Sequence, residues 1–109
     1  MKRYAVVLSI LLMSVGCAKR PDAITPVSMP SDVYTLMECS KLSDELTREQ
    51  QNLDTLSRAQ NDAATGDALG VFLVGLPLAS ATGGDKEGLI AVSKGKVQAL
   101  ESAKLRKGC

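Results

Sequence analysis

The 109-residue sequence contains no histidine and no tryptophan, and its aromatic residues are Tyr4, Tyr34 and Phe72. The lack of histidine removes the commonest general base and metal ligand. The scarcity of aromatics argues against a packed sandwich or barrel, whose strands favour aromatic and β-branched residues. Helices built from Leu, Ala, Lys, Gln and Glu suit this composition better. Long apolar runs are also missing, since the stretch from Tyr4 to Val15 is well short of the roughly 20 residues needed to span a bilayer. Cysteine is sparse too, with Cys17, Cys39 and Cys109, none of them in a CxxC pair that would suggest zinc.

At the N-terminus Lys2 and Arg3 precede the apolar run, and Gly16 supplies a small residue ahead of Cys17. This is the arrangement of an export signal over residues 1–16, cut after Gly16. Ser14-Val15-Gly16-Cys17 resembles the lipobox of bacterial lipoproteins, with Ser14 where Leu is preferred. The resemblance implies a diacylglyceryl (palmitate-type) chain on the Cys17 thiol and acylation of the new amino terminus, and several chains on one residue meet the requirement for stable anchoring. By the same resemblance, Ala18 in place of Asp favours the outer membrane, facing the periplasm. The alternative is an ordinary secretory signal followed by a cysteine.

Removing residues 1–16 leaves 92 residues, enough for one small domain. It also removes Lys2 and Arg3 from the 13 basic residues, so 11 face 12 acidic ones, and a general nucleic-acid role is disfavoured. In an exported chain the two remaining cysteines, Cys39 and Cys109, are expected to pair; free or intermolecular thiols are the alternative. Residues 17–30 carry Pro21, Pro26 and Pro30 and read as a flexible tether able to reach ~40 Å.

Residues 31–109 read as an all-α domain, a small antiparallel helical hairpin of two long helices with a short apolar helix between them. Ser31 and Asp32 offer caps for the first helix. Its heptad seam runs through Cys39, Leu42, Leu46, Leu53, Leu56 and Ala63, interrupted at Glu49 and Gln60. Residues 68–84 are uncharged, and the pattern predicts a short helix through residues 71–74, a break near Pro77 and a turn at Gly83-Gly84. That segment either tucks over the hairpin end or forms an apolar tip for a membrane or partner. Asp85 caps the last helix, which places Leu89, Val92, Val97, Leu100 and Ala103 on one face and Ile90 at its edge. Lys104, Arg106 and Lys107 suit its C-terminal dipole, and Gly108 stops it. Residues 31–67 carry a net charge of −5 and residues 85–107 one of +3, which favours their pairing. Lys94, Lys96 and Lys104 read as a solvated or paired face, with anionic-lipid contact as the alternative.

Helix length sets a constraint on the disulfide. One uninterrupted helix from Ser31 to Leu76 would carry Cys39 about 20 Å past Cys109. An intrachain bond therefore predicts a break at Thr65-Gly66-Asp67.

The Leu/Glu/Gln-rich helix with its cysteine, the apolar Gly/Pro middle and the closing Lys94-Gly95-Lys96-Val97-Gln98-Ala99-Leu100 before Cys109 together resemble small uncharacterised lipoproteins of Gram-negative bacteria. That resemblance implies no reaction, cofactor or catalytic residue. The expected function is non-enzymatic: a lipid-anchored envelope protein that presents its hairpin to another envelope protein. The alternative is a small apolar-ligand or lipid-binding module using residues 68–81. Catalysis ranks third, because Ser40, Ser43, Ser57, Ser80, Ser93 and Ser102 have no histidine to activate them and Asp44 and Glu45 are neighbours on one helix. Gly83-Gly84-Asp85-Lys86 lacks the Lys-Ser or Lys-Thr ending of a phosphate-binding loop.

Overall fold

The computed structural model describes residues 17–76 and 78–109, so the expected export signal, the cleavage position Gly16 and Pro77 lie outside the described residues. Among the described residues there are three helices: α1 (Cys39–Val74), α2 (Leu78–Ala81) and α3 (Glu87–Lys107). Two 3-10 turns, Pro21–Ala23 and Tyr34–Leu36, precede them, and there is no strand among the described residues. The two long helices, α1 and α3, pack together and run in opposite directions, with the start of α1 bonded to the end of α3.

The expected start of the first helix at Ser31 is not observed. The Ser31 carbonyl instead accepts the amides of Tyr34 and Thr35 at 3.0 and 3.2 Å, and the Asp32 carboxylate pairs with Arg106 at 3.0 Å. These residues build a 3-10 turn, and α1 begins at Cys39.

The expected break at Thr65-Gly66-Asp67 is also absent, since α1 runs through it to Val74 and stops at Gly75. A glycine inside a helix costs only about 1 kcal/mol, which packing can offset. Here Gly66 permits a close approach: a Cβ on it would lie 3.0 Å from that of Ala79 in α2. The register conflict is resolved by the connection folding back along α1. The Ser80 amide reaches Asp67 at 2.7 Å, and the Lys86 amide reaches the Gln60 side chain at 2.6 Å. α3 therefore starts level with Gln60. From there about 21 residues lead back to Cys39 and about 23 lead on to Cys109, or ~32 and ~35 Å of helix. The disulfide Cys39–Cys109 closes this match, with the Cα atoms 5.7 Å apart.

Two small clusters form the core. Leu42, Leu100 and Ala103 are buried near the disulfide, with Tyr34, Met37 and Leu46 packed around them. At the other end Ala18, Ala63 and Ala64 pack with Ala79. The inward face of α3 differs from the expected one: Ile90, placed at the edge, is fully buried, whereas Leu89 is 57% exposed. Polar pairing accounts for this rotation, because Ser93 turns inward to donate to Glu49 at 2.7 Å. Glu49 and Gln60, the two interruptions of the seam, are thus the residues through which α1 holds α3 and its N-terminal loop.

The segment expected to be a flexible tether is instead a strap, residues 18–32, lying along the helices. The Val27 amide donates to the Ala91 carbonyl at 2.9 Å, and Ile24 is buried. Lys94 donates its ammonium to the carbonyls of Pro21 and Ile24, the latter at 2.8 Å. Prolines have no amide to satisfy, and their segment offers carbonyls that a lysine can collect. Gly95 sits beneath the strap, where a Cβ would strike the Val27 carbonyl.

Gly95→Ala should therefore invert the usual helix preference. Instead of gaining about 1 kcal/mol from propensity, the protein is expected to lose about 1–3 kcal/mol by overpacking, with faster hydrogen exchange at the Val27 amide. Unchanged protection at Val27 would contradict a strap seated on Gly95. For the staple, the Cys39→Ser, Cys109→Ser double variant should unfold about 2–4 kcal/mol more easily in denaturant, as expected for a loop of this length.

Candidate functional site

The best-defined polar site in the described residues is centred on Asp67, which is fully buried on α1. One of its oxygens accepts the amide of Ala18 at 2.7 Å and the hydroxyl of Ser80, and the other accepts the Ser80 amide at 2.7 Å. Burial by itself would raise the pKa of this carboxyl. Hydrogen bonds from the Ser80 hydroxyl and from the amides of Ser80, Ala18 and Ala79 outweigh that effect and hold it below its ordinary value of 3.8. The carboxylate thereby ties together α1, the connection that carries α2, and the start of the strap.

About two turns further into α1's own body, Gln60 performs a matching task. It donates to the Lys19 carbonyl at 2.8 Å and to Asp85 at 2.9 Å, and accepts the Lys86 amide. The N-cap position of α3 is Lys86 rather than the expected Asp85, and Asp85, one residue earlier, accepts the Glu87 amide at 3.0 Å. Arg20 adds bonds to the Asn61 carbonyl at 3.1 Å and to Thr65 at 3.2 Å, and Lys19 pairs with Glu87 at 3.1 Å.

Cys17 follows directly from this geometry. It is exposed with a free thiol, and its neighbour Ala18 is buried and bonded to Asp67. The expected acyl acceptor is therefore held against one end of the helices, where a mobile leash had been expected. Cys39 and Cys109 are joined at the opposite end. Beyond Asp67, α1 continues for two turns with Leu69, Phe72, Leu73 and Val74 outward; Phe72 is 85% and Leu73 72% exposed.

Other candidate residues have structural partners. The Ser80 and Ser93 hydroxyls donate to Asp67 and Glu49, and Glu45 pairs with Arg48 at 3.2 Å. Lys94, expected on a solvated or paired face, is committed to the strap. Among the described residues no group of three or more His, Cys, Asp or Glu side chains is arranged to hold a metal, and no helix is long and apolar enough to cross a membrane. A groove of about 580 Å³ lies between the strap and α3, lined by Pro26, Met29, Ser31, Gln98, Ser102 and Arg106. Within residues 68–81, Ala79 contributes to a shallow depression shared with Ala59, Ala63 and Gly84.

Asp67 and Gln60 were not singled out as site residues by sequence reasoning. The available signal was the setting of Asp67 between Gly66 and Ala68, where small neighbours let other backbone come close enough to donate amides.

Because the folded Asp67 pKa is depressed, the stability this group contributes is present above pH 3.8 and is lost as the pH falls through its lower folded value. Asp67→Asn should weaken folding at neutral pH by about 1–3 kcal/mol, since an amide group faces donors it cannot satisfy. The variant should also show a flatter acid limb in denaturant titrations taken from neutral pH downward. No family model, curated protein or solved structure matches the chain.

Proposed function

We propose that this chain is an exported lipoprotein, acylated at Cys17 after removal of residues 1–16, whose stapled helical hairpin works without catalysis as a rigid stand-off in the cell envelope. The observation that carries this reading is the bond from the Ala18 amide to Asp67, which fixes the residue next to Cys17 at one pole. Asp67 lies 28 residues along α1 from Cys39, ~42 Å at helical rise. An anchor at the Cys17 pole would hold the disulfide pole that far from the membrane, on the periplasmic side of the outer membrane if Ala18 acts as the lipobox resemblance implies. The strap makes this a defined distance, because it is hydrogen-bonded to α3 through the Val27 amide and the Lys94 ammonium. The surface offered to an envelope protein partner is then the far pole and the flanks of α1 and α3.

An apolar-ligand module built on residues 68–81 is the second reading. The outward exposure of Leu69, Phe72, Leu73 and Val74 favours a surface over an enclosing pocket and places this reading second.

In a bacterial host that lipidates exported proteins, the wild-type chain should fractionate with membranes and carry acyl mass on the peptide that begins at Cys17. Cys17→Ser should move most of the protein to the soluble periplasmic fraction. A Cys17→Ser protein that remains stably membrane-bound after a salt wash would refute anchoring by acylation. Crosslinking from Leu105, near the far pole, is expected to capture an envelope protein; self-contacts alone would count against the presenting role.

A further inference from the structure

The end of α1 beyond Asp67 carries exposed apolar side chains in nearly every direction, with Gly70 the one buried position between Ala68 and Val74. Leu69, Val71, Phe72, Leu73 and Val74 are all at least 44% exposed, and Leu76 beyond Gly75 is 59% exposed. At 100° per residue these five helical positions point around the full circumference. A helix that docks in a protein groove needs one apolar stripe, and contact with a second copy would likewise cover one side. A helix end whose exposed apolar side chains point in so many directions, with its own connection on the remaining side, suits a medium that surrounds both.

Three further observations identify that medium. Cys17 lies at this same pole, because Ala18 is bonded to Asp67. The exposed tip extends from Asp67 to Val74, ~10 Å of helix, which matches the roughly 5–10 Å to which apolar surfaces sink into the headgroup and acyl boundary. Charged side chains reappear at one boundary: none occurs in residues 68–84, whereas Asp62, Lys19, Arg20 and Lys86 cluster where the strap and α3 begin. That boundary crosses the long axis near Cys17, as a lipid–water boundary would.

We infer that residues 69–76 form a membrane-inserting tip that enters the acyl region of the bilayer beside the acylated Cys17, giving the protein two adjacent attachments and holding its 62 Å long axis upright. This rests on the anchoring reading above. Two adjacent points of attachment restrict tilting in a way that acyl chains on one residue do not.

The absence of tryptophan allows a direct test. Phe72→Trp places a single reporter at the tip, and Leu105→Trp, at an 84% exposed position near the disulfide, serves as control. Both full chains are exported, processed, purified and reconstituted in phosphatidylethanolamine–phosphatidylglycerol vesicles whose acyl chains carry bromine. The Phe72→Trp emission should shift to the blue and be strongly quenched, while the Leu105→Trp emission should stay water-like and unquenched. An unquenched Phe72→Trp on protein that carries acyl mass at Cys17 overturns insertion and leaves anchoring intact. If Cys17 carries no acyl mass, anchoring fails by itself; added vesicles then decide insertion, with quenching at position 72 supporting it and none overturning it. A blue shift without lipid that grows with protein concentration assigns the tip to a second copy and overturns the proposal. In the Cys17→Ser background, Leu73→Asp should lower vesicle binding by about tenfold or more, the loss expected for one large apolar side chain kept from lipid.

Discussion

The structure depends on one buried carboxylate. Among the described residues Asp67 has no cationic partner; its charge is balanced by amide and hydroxyl donors from Ala18, Ala79 and Ser80. A buried charge is tolerated only when such donors are complete, so its presence fixes the backbone that supplies them. Two segments distant in sequence are thereby fixed on α1: the beginning of the strap and the loop that leads to α3. The second of these sets the register of the whole molecule. By turning the chain back to the level of Gln60 before α3 starts, the Asp67 contact brings Cys109 to Cys39 without interrupting α1. The disulfide then closes a geometry that Asp67 and Gln60 have already set.

The features legible in the sequence are those carried by local pattern. The heptad positions Leu42 and Ala63 are buried, the cysteines pair, and α3 stops at Gly108. The features that escaped are decided by long-range polar contacts. Helical length pointed to a break at Gly66, because spacing alone does not reveal a connection folded back on its own helix. Ser31 has the right side chain to cap a helix, yet its carbonyl serves a 3-10 turn, because Asp32 is drawn to Arg106 on α3. Pro21, Pro26 and Pro30 gave the strap the composition of a linker; Lys94 and Gly95, seventy or so residues away, make it part of the body. Ile90 rather than Leu89 turns inward because Ser93 must meet Glu49.

Gly95 illustrates how the same motif carries two meanings. In Lys94-Gly95-Lys96-Val97-Gln98-Ala99-Leu100 the glycine looks like a weak point in a helix. In the fold its missing side chain lets the Val27 carbonyl lie over the helix, with Lys94 beside it collecting the carbonyls of Pro21 and Ile24. The first two residues of the motif thus serve the strap, and Leu100 serves the core. A segment that links Cys17 to the helices is held by residues on the last helix, so the position of Cys17 and the integrity of α3 are coupled.

The same close packing accounts for the exposed end of α1. Around Asp67 the contacts are made by Ala18, Ala63, Ala64, Gly66 and Ala79, and Ala79 approaches so nearly that even a methyl on Gly66 would crowd it. Larger side chains at this layer would hold the strap and connection away from the carboxylate and leave its charge unpaired. The large apolar residues of the segment are therefore confined to the turns beyond, where Phe72 and Leu73 are exposed among the described residues. A chain this small gains from every apolar side chain it can bury. Leaving six of them outside costs stability that the staple and the polar clamp offset, and it gathers six exposed large apolar side chains at the pole where Cys17 emerges. The clamp that fixes the register thus also separates a charged, close-packed body from an uncharged tip, and the exposed Cys17 lies on the line between them.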